Sequence, residues 1–273
     1  MAGDGARHLE RQKSLNRETA DSWAWFADHR AKVTTLVLEA IEPAALFPPS
    51  VCVLGAGNSN DLDLGRLVQS GAGVHLVDID EEALAHGVAR QLTPGAARLH
   101  HVELTGVAQF DPAISTCELV CTALAGPRLT LGPFNVVASS GLLTQLVAAA
   151  VDGLGADHPA VDETTLAIRT GHLRLMTRLL APGGVAVLVT DVVSSDTLPA
   201  LLEHHDPASL LRQALSTGNF FTGTHPEGLV RALDTDDNLV GRVDGVELTR
   251  PWRWRLSPSR AYLVVALTWR RAA

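Results

Sequence analysis

Val51-Cys52-Val53-Leu54-Gly55-Ala56-Gly57-Asn58-Ser59 decides the fold of this 273-residue chain. A β-branched apolar run leads into two glycines separated by one small residue, and a helix-compatible segment, 61–68, follows. The pattern reads strand, tight turn, helix. In open α/β proteins such glycines let the backbone approach a ligand, and the next helix offers unpaired N–H groups, so the turn suits a nucleotide or nucleoside. A Gly-x-Gly alone is weak evidence, because any strand-to-helix turn can use glycine for a positive φ. The following strand narrows the reading. Val74-His75-Leu76-Val77-Asp78 ends in an acid twenty-one positions beyond Gly57, where nicotinamide enzymes and methyltransferases place a ribose-binding carboxylate. Asp80, immediately before Glu81-Glu82-Ala83-Leu84, is the better helix cap.

The glycines also separate two cofactor classes. A dinucleotide fingerprint needs Gly-x-Gly-x-x-Gly, the last glycine permitting close packing under the pyrophosphate, and that sixth position is Asn60. A nucleoside cofactor without phosphates asks nothing of Asn60.

Five segments together resemble class I S-adenosylmethionine-dependent methyltransferases. They are Leu54-Gly55-Ala56-Gly57-Asn58, Asp78, Val102-Glu103-Leu104-Thr105-Gly106, Phe134-Asn135-Val136-Val137-Ala138-Ser139-Ser140, and Leu179-Leu180-Ala181-Pro182-Gly183-Gly184 before an apolar strand. The match covers 51–191, about half of the chain, and departs from the family at its frequent third glycine, which is Ser59 here. The resemblance implies an α/β, Rossmann-like fold with a mostly parallel seven-stranded sheet, closed by an antiparallel last strand at 262–269. It implies S-adenosylmethionine as cofactor and S-adenosylhomocysteine as product. Gly55, Ala56 and Gly57, with Asn58, would approach the methionine portion. Asp78, with Ile79, would serve the ribose, Leu104 and Thr105 the adenine side, and Ser139 and Ser140 the methyl group.

Composition bounds the setting. A formal net charge of -8 argues against nucleic acid as partner, since phosphate neutralisation needs a basic surface. No apolar run approaches the ~20 residues that span a bilayer, so no membrane is expected. The polar stretch 1–17 lacks the core of a signal peptide, and a cytoplasmic location is expected. Cys52, Cys117 and Cys121 are an odd number without paired spacing, and neither they nor His204-His205 form a metal-site pattern.

Residues 18–41 read as one covering helix, with Trp23, Phe26, Val33, Val37 and Ile41 at helical steps. Pro43, Pro48 and Pro49 end it. This divides the chain into an N-terminal cover, 1–48, and a methyltransferase domain, 49–273, with a helical and loop insertion at about 194–237. Arg30 falls in the apolar stripe, where its stem can snorkel to water; the resemblance offers the alternative that it reaches the cofactor's carboxylate. Asp162 is expected to cap a helix running to about residue 180. Gly171 inside that helix marks a close backbone approach, and His172 beside it is the best-placed base. Asp244-Gly245 reads as a two-residue hairpin turn. In 252–255, arginines and tryptophans alternate, which puts them on opposite strand faces.

The reading that results is a methyltransferase acting on N or O of a small, apolar or aromatic metabolite, in specialised, natural-product metabolism. With no compelling base or metal, an amine or an already ionised oxygen is favoured. Trp23, Phe26, Phe220 and Phe221 are expected around the acceptor, one of the adjacent phenylalanines packing inward while the other lines an opening. His172 is the candidate for handling a proton, although a lone helical histidine is more often a packed or surface residue. The alternatives are an NAD(P)-dependent Rossmann oxidoreductase, a catalytically silent scaffold that retains the cofactor, and a methyltransferase of macromolecules. The sequence carries no sign of an oligomeric state.

Overall fold

The computed structural model describes residues 4–42, 48–107, 114–203 and 205–273; Pro43, Pro112 and His204 lie outside them. Helices α1 (Asp4–Thr19) and α2 (Ala27–Ile41) come first. The alternation of β1 (Ser50–Leu54), α3 (Leu64–Gln69), β2 (Gly73–Asp78), α4 (Glu81–Gln91), β3 (Ala97–His101), α5 (Thr116–Ala125), β4 (Phe134–Ser140), α6 (Leu142–Leu154), α7 (Val161–Leu179) and β5 (Leu180–Ser194) follows. A 3₁₀ turn at Pro199–Leu202, α8 (Pro207–Ser216), α9 (Pro226–Thr235), β6 (Val243–Leu248), β7 (Trp252–Ser257) and β8 (Arg260–Arg271) complete the chain.

Strands β3-β2-β1-β4-β5 pair in parallel, and β8 joins β5 antiparallel, with β6 and β7 both on β8's other edge. The central strands are apolar throughout because helices cover both faces. Alternation divides them between two cores. Cys52 and Leu54 face the layer of α5, α6 and α7, while Val51 and Val53 face the layer of α2, α3 and α4.

Among the described residues the sheet has eight strands, where seven were expected. β6 pairs with 267–271 of β8 and β7 with 260–264, so the two lie end to end along one partner. Between them Thr249 still bonds Ala266 in both directions, through its amide and its Oγ1. Pro251 follows, has no N–H for the ladder, and splits what would be one edge strand. Asp244-Gly245 is not a hairpin turn. It lies inside β6, where 244 to 247 spans three residues against two on β8, a bulge that uses the positive φ of 60° at Gly245.

The expected helix over 18–41 is also divided. Arg30 takes the Trp23 carbonyl, Arg90 takes that of Ala20, and Asn60 takes that of Thr19. Side chains that also hold the glycine turn thus compete for the carbonyls a continuous helix would use. Asp162 stands within the first turn of α7 rather than at its cap, which is Ala160.

Gly171 is where α7 meets α5. A Cβ there would lie 2.0 Å from the Ala123 carbonyl oxygen, a separation that no side-chain adjustment relieves. Gly171→Ala is expected to destabilise the protein by about 3 kcal/mol, the upper end of overpacking costs, read as a lower denaturation midpoint. An unchanged midpoint would contradict the packing described.

Candidate active site

The turn after β1 is pinned from β2. The Gly55 and Ala56 amides donate to the Val77 carbonyl at 2.8 and 3.1 Å. One Asp78 carboxylate oxygen accepts from the Gly57 amide at 2.8 Å and the other from the Asp80 amide at 2.9 Å. Each oxygen keeps a second lone pair. Burial raises the Asp78 carboxyl above the usual range, against the lowering effect of these amides. Gly55 and Gly57 adopt φ of 69° and 44°, and Ser59 adopts 50°. The serine therefore takes the left-handed backbone that a third glycine would supply, at a cost of about 1 kcal/mol.

Asp78 opens onto a narrow cleft with Gly55, Ile79, Glu103, Leu104, Leu142 and Leu146. The cleft shares Gln12, Gly55 and Gln145 with a cavity of about 590 Å³ at the ends of β4 and β5. Three distant parts of the chain wall this cavity. Gln12 and Asn16 come from α1, Phe26 and His29 from the start of α2, and Phe221, Trp254 and Tyr262 from the C-terminal third. Trp254 stacks on His29 at 4.5 Å and on Tyr262 at 5.2 Å, with Phe26 edge-on at 4.9 Å. His29 accepts from the Trp252 indole, and burial followed by the charge of Lys32 lowers its imidazole to about 3. The ring is neutral at physiological pH.

Two acids, Asp61 and Asp191, stand in the cavity wall, and the sequence reading did not single them out. Burial raises Asp191 to about 7; the Thr144 hydroxyl and Arg260 lower it, and the charge of Asp61 raises it further. Burial likewise raises Asp61 to about 6, against Ser140, its own amide and Arg30. Asp191 follows the apolar run of β5, the one signal that marked it in the sequence: a carboxylate at the C-terminal end of a central parallel strand.

The expected site residues divide. Gly55, Ala56, Gly57 and Asn58 line the cavity, as do Ser140, Phe26 and Phe221, while Ile79 and Leu104 line the cleft. Ser139, Thr105, Arg30, Trp23, Phe220 and His172 line neither. Ser139 points away because adjacent strand residues face opposite sides; its hydroxyl meets Nε2 of His172 at 2.9 Å. His172 is buried behind the strand, and burial lowers it to about 4, so it is a neutral packed ring rather than a group at the opening. The Thr105 hydroxyl bonds the Val107 backbone. Arg30 donates to the Asn60 carbonyl and lies 3.4 Å over the Trp23 ring, with Arg90 4.4 Å from the same ring. Both are occupied in holding the turn. Phe220 packs on His225 at 5.0 Å. Among the described residues, no group of three or more His, Cys, Asp or Glu side chains is placed to hold a metal ion, and no helix is long and apolar enough to cross a membrane.

No known family profile and no curated protein matches the sequence. Solved structures do match the fold. A phosphoethanolamine N-methyltransferase 2 from Haemonchus contortus, solved with S-adenosylhomocysteine, aligns with a TM-score of 0.53 and 10% identity over 97% of this chain and 59% of its own. An O-methyltransferase family protein from Burkholderia thailandensis aligns at 0.50 and 12% over 96% and 60%. The chain has the class I methyltransferase fold. A possible exported protein from Bordetella parapertussis shares the architecture at 0.50 and 17% over 90% and 68%. This chain spans about 60% of the two methyltransferases' length. Within the methyltransferase fold, the cleft and cavity lie at the C-terminal ends of the parallel strands, where such sheets bind ligands.

The raised carboxyls of Asp61 and Asp191 have a consequence for stability. Between their unfolded value near 3.9 and their folded values, the native state holds protons that the unfolded chain has released, so stability falls as pH rises from about 4 to 7. Asp191→Asn keeps the partner for Thr144 and removes the buried charge. It is expected to raise the thermal midpoint at pH 8 by about 3–6 °C, the effect of roughly 1–2 kcal/mol in a domain of this size, with little change at pH 4. An equal shift at both pH values would show that Asp191 is not the titrating group.

Proposed function

We propose that this protein is an S-adenosylmethionine-dependent methyltransferase of a small molecule with an aromatic or apolar body. The observation that carries the reading is the Asp78 carboxylate. It is held by the Gly57 and Asp80 amides beside an apolar cleft, and that cleft continues into the cavity of about 590 Å³. A buried acid with spare lone pairs suits a ribose diol. Ile79, Leu104, Leu142 and Leu146 suit a purine face. Gly55, Ala56, Gly57 and Asn58 form the turn beneath the methionine portion. In this reading α1 and α2 act as the N-terminal cover, with α1 laid over the turn through Asn16, whose carbonyl accepts from Asn58 and whose amide donates to Asp80.

The residues present fit that cofactor. When bound, it supplies an electrophilic methyl group on a sulfonium; the protein's part is to position the acceptor and exclude water. Ser140 stands at the end of β4 on the cavity side, and Phe26, Phe221, Trp254 and Tyr262 supply the acceptor wall. Transfer to N or O, in specialised metabolism, remains within this reading. A dinucleotide is disfavoured by Asn60, whose amide group is engaged at both ends by the Thr19 carbonyl and Arg90, and which stands where the dinucleotide fingerprint has the glycine that permits close helix–strand packing.

Calorimetric titration with S-adenosylhomocysteine and with NAD tests the proposal. S-Adenosylhomocysteine is expected to bind, and Asp78→Ala to weaken it by about 10- to 100-fold, the equivalent of a charge-assisted hydrogen bond. Circular dichroism of the variant checks that the turn's support has not been lost with the ligand contact. Binding of NAD without S-adenosylhomocysteine would overturn the reading.

A further inference from the structure

Cations that line the cavity are already matched with acids at its rim. Arg11 pairs with Asp152, and Arg260 with Asp196 at 3.0 Å. Asp61 and Asp191 have no such ion pair among the described residues, and each is in the field of the other. A third polar group joins them. Ser140 is 8% exposed and lines the same cavity beside Asp61; its Oγ is buried and makes no hydrogen bond of good geometry. Trp254, Tyr262, Phe26 and Phe221 line the same cavity, Trp254 being stacked on His29 and on Tyr262. An acidic floor under an aromatic wall repels carboxylates and phosphates. It attracts a cation through its charge, and the aromatic wall offers apolar surface to the rest of the molecule that carries it.

We propose that Asp191, with Asp61 and Ser140, is the subsite for the nitrogen of a protonated amine acceptor whose aromatic or apolar body lies against Trp254 and Tyr262. This deepens the methyltransferase reading and rests on it for the identity of the acceptor's partner. Asp191 then does two things. Its carboxylate binds the ammonium, and it takes one ammonium proton, so that an N–H bond breaks, an O–H bond forms and the electron pair stays on nitrogen as a free amine. The raised carboxyl of Asp191, near 7, is closer to an amine than an ordinary aspartate is, which favours that transfer. The groups facing it are Thr144, Asp61, Tyr262 and Arg260, the last paired with Asp196. Asp61 stands four residues beyond Gly57, within the cofactor's turn. Asp191 stands on β5 against Tyr262, on the acceptor side, and therefore carries the test.

The test is calorimetric binding of 2-phenylethylamine, tryptamine, 2-phenylethanol and phenylacetate, to the protein alone and to the protein saturated with S-adenosylhomocysteine. The amines are expected to bind at least tenfold more tightly than the alcohol, and phenylacetate not at all. Asp191→Asn should remove that preference while leaving S-adenosylhomocysteine affinity within twofold. Amine preference that survives Asp191→Asn, equal binding of the alcohol, or no binding by either amine would overturn the proposal. So would a large loss of S-adenosylhomocysteine affinity in the variant, which would give Asp191 to the cofactor instead. Asp191-dependent amine binding without any S-adenosylhomocysteine binding would leave the amine subsite standing and remove the methyltransferase reading.

Discussion

The bond between the Asp78 carboxylate and the Gly57 amide is the contact on which the rest of the site depends. It ties the end of β2 to the turn after β1, and the second Asp78 oxygen extends the tie to the start of α4 through the Asp80 amide. Asp80 in turn caps α4 by accepting from Ala83, and receives Asn16 from α1. One buried acid thus sets the relative positions of two strand ends, a helix start and the covering helix. Its burial is tolerable because both oxygens are hydrogen-bonded, whereas an unpaired carboxylate in that place would cost several kcal/mol.

A second layer of polar side chains holds the turn from outside. Arg90 reaches the carbonyls of Asn58 and Ala20 and the side chain of Asn60, Gln91 reaches the Ser59 carbonyl, and Arg30 reaches the Asn60 carbonyl. Both guanidinium groups lie against the Trp23 ring. This is why residues that look suited to an acceptor pocket or a cofactor carboxylate serve the backbone instead. The turn carries positive φ at a serine as well as at two glycines, and such a conformation persists only where its surroundings over-determine it.

Against this rigid half of the site stands a wall assembled from the start of α2, the 221–222 loop and the β7–β8 hairpin. The long β8 makes the assembly possible. By carrying β6 and β7 in succession on one edge, it brings Trp254 and Tyr262 into stacking distance and sets Trp254 against His29 and Phe26. The cavity floor comes from the ends of β4 and β5, where Ser140 and Asp191 emerge beside Asp61 from the turn.

Local sequence determined the strand-turn-helix at 51–68, the acid at the end of β2, the cap at Asp80, the close approach at Gly171 and the parallel βα rhythm. Each of these is set by chain chemistry within a few residues: a glycine's φ, a β-branched run, a capping side chain. The covering helix break at 20–26, the splitting of the edge strand, the retreat of His172 and Ser139 behind β4, and the pairing of Asp61 with Asp191 were decided only by the tertiary structure. Asp61 and Asp191 are 130 positions apart, and neither belongs to a spaced motif. What makes them a site is low dielectric and shared enclosure, and those exist only after α1, the 221–222 loop and the C-terminal hairpin have closed around the sheet.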